Sequence, residues 1–169
     1  GFLRSEDSVA TRAAFEAMGV TIRDLPGGSL TINGVGVAGL KAPAQTLDLG
    51  NSGTAIRLMM GLLAGQSFDT ELTGDASLRQ RPMERLAAPL RLMGAAIETT
   101  NGKPPGRITG GRALHGIEYT LSIASAQVKS ALLLAGLYAR GTTALRAPGP
   151  SRDHTEKMFA SMGVAVREN

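Results

Sequence analysis

The sequence predicts an α/β domain built by repeating one unit, with apolar helices inside and strands outside. Two patterns carry that reading. Three segments share an ending, FEAMGVTI at 15–22, LRLMGAAI at 90–97 and FASMGVAV at 159–166; Met18, Met93 and Met162 are spaced 75 (18 to 93) and 69 (93 to 162) residues apart. Each closes an amphipathic helix and opens a β-prone stretch, and a Gly after the last apolar helical residue is the expected left-handed terminator. Between them lie TAIRLMMGLLA at 54–64 and VKSALLLAGLY at 128–138, apolar on nearly every face. A helix of that kind belongs in a core. A period of about 70 residues exceeds that of solenoids, which leaves one domain made of three copies.

The elements follow in chain order. Ser5, with Glu6 and Asp7 behind it, marks the first amphipathic helix, because a serine oxygen satisfies a first-turn N–H and acids suit the positive end of the helix. Gly19 ends it and a strand follows. The GNSGT run at 50–54 opens the first apolar helix, Gly65 closes it, and Thr70–Thr73 reads as a strand. Pro82 suits the first position of the next helix, which Met93 and Gly94 end ahead of strand, Gly-rich turn and more strand. ASAQ at 124–127 opens the second apolar helix, Gly141 follows it, and Thr142–Leu145 reads as a strand. Ser151 and Asp153 ahead of Glu156 form a capping-box style start, and the last helix runs to Met162-Gly163 before a strand at Val164–Val166. The middle copy is complete and the third nearly so. The first lacks its apolar helix, which is expected upstream of Gly1. The chain therefore reads as cut at both ends, with residues 1–169 forming a single domain.

Composition narrows the chemistry. Of 169 residues, 43 % are apolar and 19 % charged, the balance of a globular chain. Aromatics are 4 % with no Trp, so Leu, Ala, Met, Ile and Val must fill the core. There is no Cys, hence no disulfide frame, thiolate nucleophile or cysteine-bound zinc. Two histidines, His115 and His154, are too few for a histidine metal site, so a metal centre is not expected. No apolar run approaches the ~18 residues of a membrane span and no apolar h-region follows Arg4, Glu6 and Asp7. A cytoplasmic protein without membrane contact is the expectation. The net charge of +4 comes without a run of arginines or an aromatic platform for bases, which favours small anions over nucleic acid.

Four segments could hold such anions. At Asn51-Ser52-Gly53-Thr54 a helix N-terminus offers free N–H groups with no acid between Asp48 and Asp69 and with Arg57 one turn in; that end of a helix attracts negative charge. It is not a P-loop, since the Gly-Lys-Ser/Thr element is missing. Ser125-Ala126-Gln127, with Lys129 behind it, opens the second apolar helix without an acid. Ser151-Arg152 precedes the last helix, and Arg79 and Arg81 precede Pro82. Each alone reads as a helix cap with solvated charge. Gathered at one end by the repeat, they would make a field suited to phosphates and carboxylates. His154, in a first turn, reads as a surface or hydrogen-bonding residue, and His115 as turn surface.

These segments resemble the 5-enolpyruvylshikimate-3-phosphate synthase family. LRSEDSVATRAAFEAMGV, LDLGNSGTAIRLMMGLLAG, GDASLRQRPMERL, ASAQVKSALLLAGL and SRDHTEKM occur in the family's order and cover nearly the whole chain. The resemblance implies βαβαββ units with buried helices and outer mixed sheets, in one of two domains that face each other across a cleft. It implies transfer of the enolpyruvyl group of phosphoenolpyruvate to the 5-hydroxyl of shikimate 3-phosphate, without metal or organic cofactor, as a step of the shikimate pathway to aromatic amino acids. Carried over by motif, Asn51, Gly53, Thr54, Arg81 and Gln127 bind phosphoenolpyruvate. Ser125, Ala126, Gln127, Ser151 and Arg152 bind shikimate 3-phosphate. Arg57 and Lys129 read as local electrostatic support. No catalytic acid or base is assignable, because the family's Lys-Ser-Arg motif and second-domain groups are not in this sequence, so the fragment alone is expected to be inactive and to need the second domain of its parent chain. Gly53 and Leu58 bear on glyphosate, an inhibitor of the family: Gly53 resembles the sensitive form of the motif, whereas Leu58 stands where many sensitive members carry Pro. The alternatives are a UDP-N-acetylglucosamine enolpyruvyl transferase-like domain, disfavoured by the missing cysteine, and an RNA 3′-phosphate cyclase-like protein, disfavoured by scattered charge.

Overall fold

The computed structural model describes residues 2–167. Its middle segment runs strand, helix, strand, helix, strand, strand: β3 (Leu47–Asp48), α2 (Gly53–Leu63), β4 (Thr70–Thr73), α3 (Glu84–Leu92), β5 (Ala96–Thr100) and β6 (Lys103–Thr109). Before it stand α1 (Glu6–Ala17), β1 (Thr21–Leu25) and β2 (Ser29–Asn33), the last three elements of the same unit. After it come β7 (Glu118–Thr120), α4 (Ala126–Gly136), β8 (Ala144–Arg146) and α5 (His154–Ser161), the first four. The expected repeat is thus present as βαβαββ, complete in the middle.

The repeat extends to individual hydrogen bonds. After α1, Gly19 N–H donates to Glu16 O and Val20 N–H to Phe15 O, both at 3.0 Å. After α3, Gly94 bonds Arg91 O (2.9 Å) and Ala95 bonds Leu90 O (3.1 Å); after α5, Gly163 bonds Ala160 O (3.1 Å) and Val164 bonds Phe159 O (2.9 Å). These are three Schellman terminators, and each needs its glycine at positive φ, 88°, 100° and 79°, where a Cβ is unfavourable. Three helices begin on serine: Ser5, Ser52 and Ser125 accept from Ser8, Ala55 and Val128 N–H.

Local details depart from the sequence reading at three points. No strand forms at Val164–Val166, because among the described residues no neighbouring strand is there to pair with it. Pro82 lies outside α3, which starts at Glu84 behind Met83. At α5 the N-cap is Asp153, but its side chain makes no capping bond; it pairs with Lys157 at 2.8 Å, and Ser151 lies farther out. α2 ends beside Gly65 as expected, with no left-handed turn at that glycine. It is there for space, since a Cβ would lie 2.2 Å from the Tyr138 ring.

Two parallel crossovers set the core. β3 pairs with β4 and β7 with β8, both parallel, so α2 and α4 each return the chain to the same end. The strands form a four-stranded sheet of order β3-β4-β6-β5 and two separate pairs, β1-β2 and β7-β8. α2 is buried along most of its length (Ala55, Ile56, Met59, Met60, Gly61, Leu63). α4 buries Val128, Ala131, Leu132 and Ala135, yet leaves Leu133 and Leu134 half-buried and Leu137 exposed at the end. It is less enclosed than its apolar sequence suggests. Among the described residues no helix is long and apolar enough to cross a membrane.

The α2–α4 contact is backbone-close. A Cβ on Gly61 would lie 2.0 Å from Ala131 O and 2.8 Å from its Cα, an approach no side chain permits. Gly61→Ala must push the two helices apart, and overpacking of this kind costs about 1–3 kcal/mol. The expected outcome is a lower urea-unfolding midpoint than the parent protein. An unchanged midpoint would show that the crossing relaxes freely.

Candidate anion site

Asn51, Gly53, Thr54, Arg81 and Gln127 come together at the N-terminal ends of α2 and α4. Gly50, at φ 57°, turns the chain after β3; its N–H bonds Asp48 Oδ1 (2.8 Å). Asn51 then projects from the turn as a bridge: its Nδ2 donates to Asp75 Oδ2 (2.9 Å), and its Oδ1 accepts from Arg81 Nη2. Asp75 N–H returns to Gly50 O (2.9 Å), and Asp75 Oδ1 accepts from Leu78 N–H (2.7 Å). The short 3-10 turn Leu78–Gln80 is therefore laced to the start of α2, and Arg81 is delivered beside Gly53. Arg79 departs from this pattern. It faces away, into an open cleft lined by Ala76, Gln80, Thr100 and Lys103, so the two arginines of one motif serve different surfaces.

Gln127 joins α4 to α2. Its Nε2 donates to Thr54 Oγ1 (2.7 Å) and its Oε1 accepts from Arg57 Nη1 (3.1 Å). Arg57, half-buried, also donates to Gly53 O (2.8 Å) and Pro82 O (3.1 Å). All three acceptors are neutral. Among the described residues neither Arg57 nor Arg81 has a carboxylate within ion-pair distance. Burial, and then the charges of Arg81 and Arg85, pull the Arg57 pKa below the ordinary guanidinium value, although a guanidinium stays charged in a protein. The result is uncompensated positive charge at two helix N-termini, the physical condition for holding an anion. The two guanidiniums close over Gly53: a Cβ there would lie 2.5 Å from Arg81 Nη1 and 2.9 Å from Arg57 Nη1.

Ser125 caps α4, with Ala126 and Gln127 as its first residues. Ser151 and Arg152 stand on the segment entering α5, whose first turn meets α4. There Thr155 Oγ1 donates to Ser130 Oγ (2.7 Å) and Lys129 pairs with Glu156. Lys129 is thus neutralised locally, unlike Arg57. His154 is the exposed first residue of α5, and exposed His115 bridges Arg140 through its backbone.

The family model for EPSP synthase (3-phosphoshikimate 1-carboxyvinyltransferase) matches residues 1–169. The chain belongs to the EPSP synthase family. It is 62 % identical over 167 residues to the 3-phosphoshikimate 1-carboxyvinyltransferase of Methylococcus capsulatus, covering 98 % of this chain and 38 % of that protein. It is 59 % identical over 169 residues to the enzyme of the same name from Alkalilimnicola ehrlichii, with 99 % and 38 % covered. The EPSP synthase structure from Acinetobacter baumannii superposes with a TM-score of 0.96 at 56 % identity, over 99 % of this chain and 38 % of that one. The chain therefore spans 38 % of the length of these relatives. The cyclase-like and UDP-sugar alternatives gain no support from these matches.

In this EPSP synthase chain the sequence pattern does not single out Asp75, and Glu156, expected in a capping-box start, instead pairs with Lys129. Asp75 was legible in principle: an acid three residues before a turn is an Asx-type cap. The pairing of Glu156 was not, since its partner is 27 residues away (129 to 156). Asp75 also gives a pH test. The Leu78 amide, then Asn51, Ser77 and the charge of Arg81, hold its carboxyl below the ordinary range against an opposing desolvation effect. A depressed folded pKa means the contribution is fully present above the unfolded value of about 3.9 and is lost as pH falls through the folded value. Following the Leu78 amide by NMR on acidification should give a midpoint below 3.8, with the transition absent in Asp75→Asn. A midpoint at or above 3.9 would contradict the cap.

Proposed function

We propose that residues 1–169 form a single domain that supplies substrate-binding groups to a carboxyvinyl transferase. That enzyme moves the enolpyruvyl group of phosphoenolpyruvate to the 5-hydroxyl of shikimate 3-phosphate. The C–O bond to the departing phosphate breaks, a C–O bond to the 5-oxygen forms, and inorganic phosphate leaves with the hydroxyl proton transferred in the course of the reaction. The observation that carries this reading is the pair Arg57 and Arg81, without carboxylates, at the N-terminus of α2 in a chain of this family. Membership supports the reaction; the charge supports the role.

Under this reading Arg81, Asn51, Gly53, Thr54 and Gln127 bind phosphoenolpyruvate. Ser125, Ala126, Gln127, Ser151 and Arg152 bind shikimate 3-phosphate, with Gln127 between the two. Arg57 acts at one remove. Three of its five N–H groups go to Gly53 O, Gln127 Oε1 and Pro82 O, so it orients Gln127 and contributes field. Fixed donors of this kind need no reorganisation as charge develops on the substrate. The proton-transfer groups come from the second domain of the parent chain, which closes on the site.

Two substitutions in the full-length protein test this. Arg81→Ala removes a charge-assisted phosphate contact worth on the order of 2–4 kcal/mol when shielded from water. With phosphoenolpyruvate and shikimate 3-phosphate the parent should release phosphate, and the variant should lose roughly 30- to 1000-fold in kcat/KM for phosphoenolpyruvate, with thermal unfolding little changed. Absence of parent turnover would remove the function, and a near-normal variant would make Arg81 mere solvated charge.

Gly53→Ala acts through the arginines. Its methyl would meet the flexible ends of Arg81 and Arg57, so the fold should survive while both guanidiniums shift. Glyphosate is longer than phosphoenolpyruvate and needs more of that space. Its inhibition constant should rise about ten-fold, in line with the ~1–3 kcal/mol of overpacking, and the KM for phosphoenolpyruvate by less. An unchanged inhibition constant in kinetics competed against phosphoenolpyruvate would take Gly53 off the ligand-facing wall.

A further inference from the structure

Two polar contacts cross the interface between α4 and α5, close to residues of the anion site but separate from them. Lys129 Nζ is paired with Glu156 Oε1, and the two side chains are 15 % and 9 % exposed. One residue along each helix, the Thr155 hydroxyl donates to Ser130 Oγ at 2.7 Å in a buried bond. Lys129 N–H closes the first turn of α4 on Ser125 O at 3.0 Å, so the lysine sits directly above the α4 cap. Glu156 lies in the first turn of α5, one turn beyond Arg152. The pair thus ties together the two helix entrances that carry Ser125–Gln127 and Ser151–Arg152.

Neither member is arranged to touch a ligand itself. The lysine charge is matched by Glu156, and the glutamate is nine-tenths buried, with Oε2 lacking any hydrogen-bond partner. Apolar packing alone would hold α5 on α4 but leave it free to slide, since it is non-directional. Hydrogen bonds and ion pairs have preferred geometry, and setting register is the best-attested use of a buried ion pair. Few other contacts compete here. Of the large apolar side chains of short α5 only Phe159 is buried, whereas Met158 and the following Met162 are exposed, so a single aromatic anchor leaves the register of the helix to directional contacts.

We propose that Lys129 and Glu156 are positioning residues, whose ion pair sets α5 on α4 so that Ser151–Arg152 and Ser125–Gln127 act as one edge for a phosphorylated substrate. The proposal rests on the assignment of those residues to shikimate 3-phosphate. It separates the two substrates, because the groups assigned to phosphoenolpyruvate alone are held through α2 and the turn at 75–81, not through α5.

The test is steady-state kinetics of the full-length protein with Lys129→Met, Glu156→Gln and the double variant, alongside thermal melting. Glu156→Gln should raise the KM for shikimate 3-phosphate roughly ten-fold, since small misplacements near a site can exceed that. The KM for phosphoenolpyruvate should stay within about two-fold, because its contacts are anchored elsewhere. The double variant should be no worse than the worse single one, the signature of residues acting as a pair. Thr155→Val removes the neighbouring directional bond without stranding a charge, so it keeps the test open if a charge variant fails to fold; a smaller rise confined to shikimate 3-phosphate is expected. Both KM values rising together with falling melting temperature would reduce the pair to a structural role and overturn the proposal, as would unchanged kinetics or multiplicative single effects. Absence of turnover in the unsubstituted protein would instead remove the proposed function, and the positioning role with it.

Discussion

The close parallel packing of α2 on α4 is the constraint from which the rest follows. Contacts step along the two helices in the same direction: Thr54 with Gln127 at one end, Gly61 against the Ala131 backbone in the middle, and Gly65 under Tyr138 at the other. Both helices are crossovers between parallel strands, which gives them a common direction. Parallel alignment puts two positive helix ends side by side, an arrangement that repels itself unless an anion or a carboxylate lies between. The sequence puts no acid in either first turn. An electrostatically unfavourable end is therefore built into the core, and the Gly61 crossing is what makes the core tight enough to keep it.

The turn carrying Arg81 is fixed by a different device. One carboxylate, Asp75, takes the Leu78 amide and the Asn51 amide group, and Asn51 turns its oxygen to Arg81. The acid is close enough to lock the turn yet does not form an ion pair with the arginine. Arg57 follows the same logic with neutral acceptors only. Charge is thus held in place by dipoles instead of being cancelled by counter-charge, which leaves its field available to a ligand. The third unit solves its problem in the opposite way, by neutralising Lys129 with Glu156. Arg57, five residues past the Ser52 cap, and Lys129, four past the Ser125 cap, consequently differ in charge balance, and the partner, not the residue type, decides which is neutralised.

The sequence by itself determined the repeat, three serine-capped helix starts and three glycine-terminated helix ends. Met-Gly endings, serine caps and apolar helices are local signals, each written within one turn of the chain, and all three Schellman terminators formed where they were read. The family motifs likewise lie in short runs. The tertiary structure alone decided what depends on contact between distant segments. It left Val164–Val166 without a strand partner, set Gly65 against the Tyr138 ring, sent Arg79 and Arg81 to different surfaces, and gave Lys129 to Glu156 while leaving Arg57 uncompensated. A cap or a terminator is satisfied by atoms three to five residues away. The charge state of a site is set by whichever side chains the fold brings alongside, and no local pattern records that.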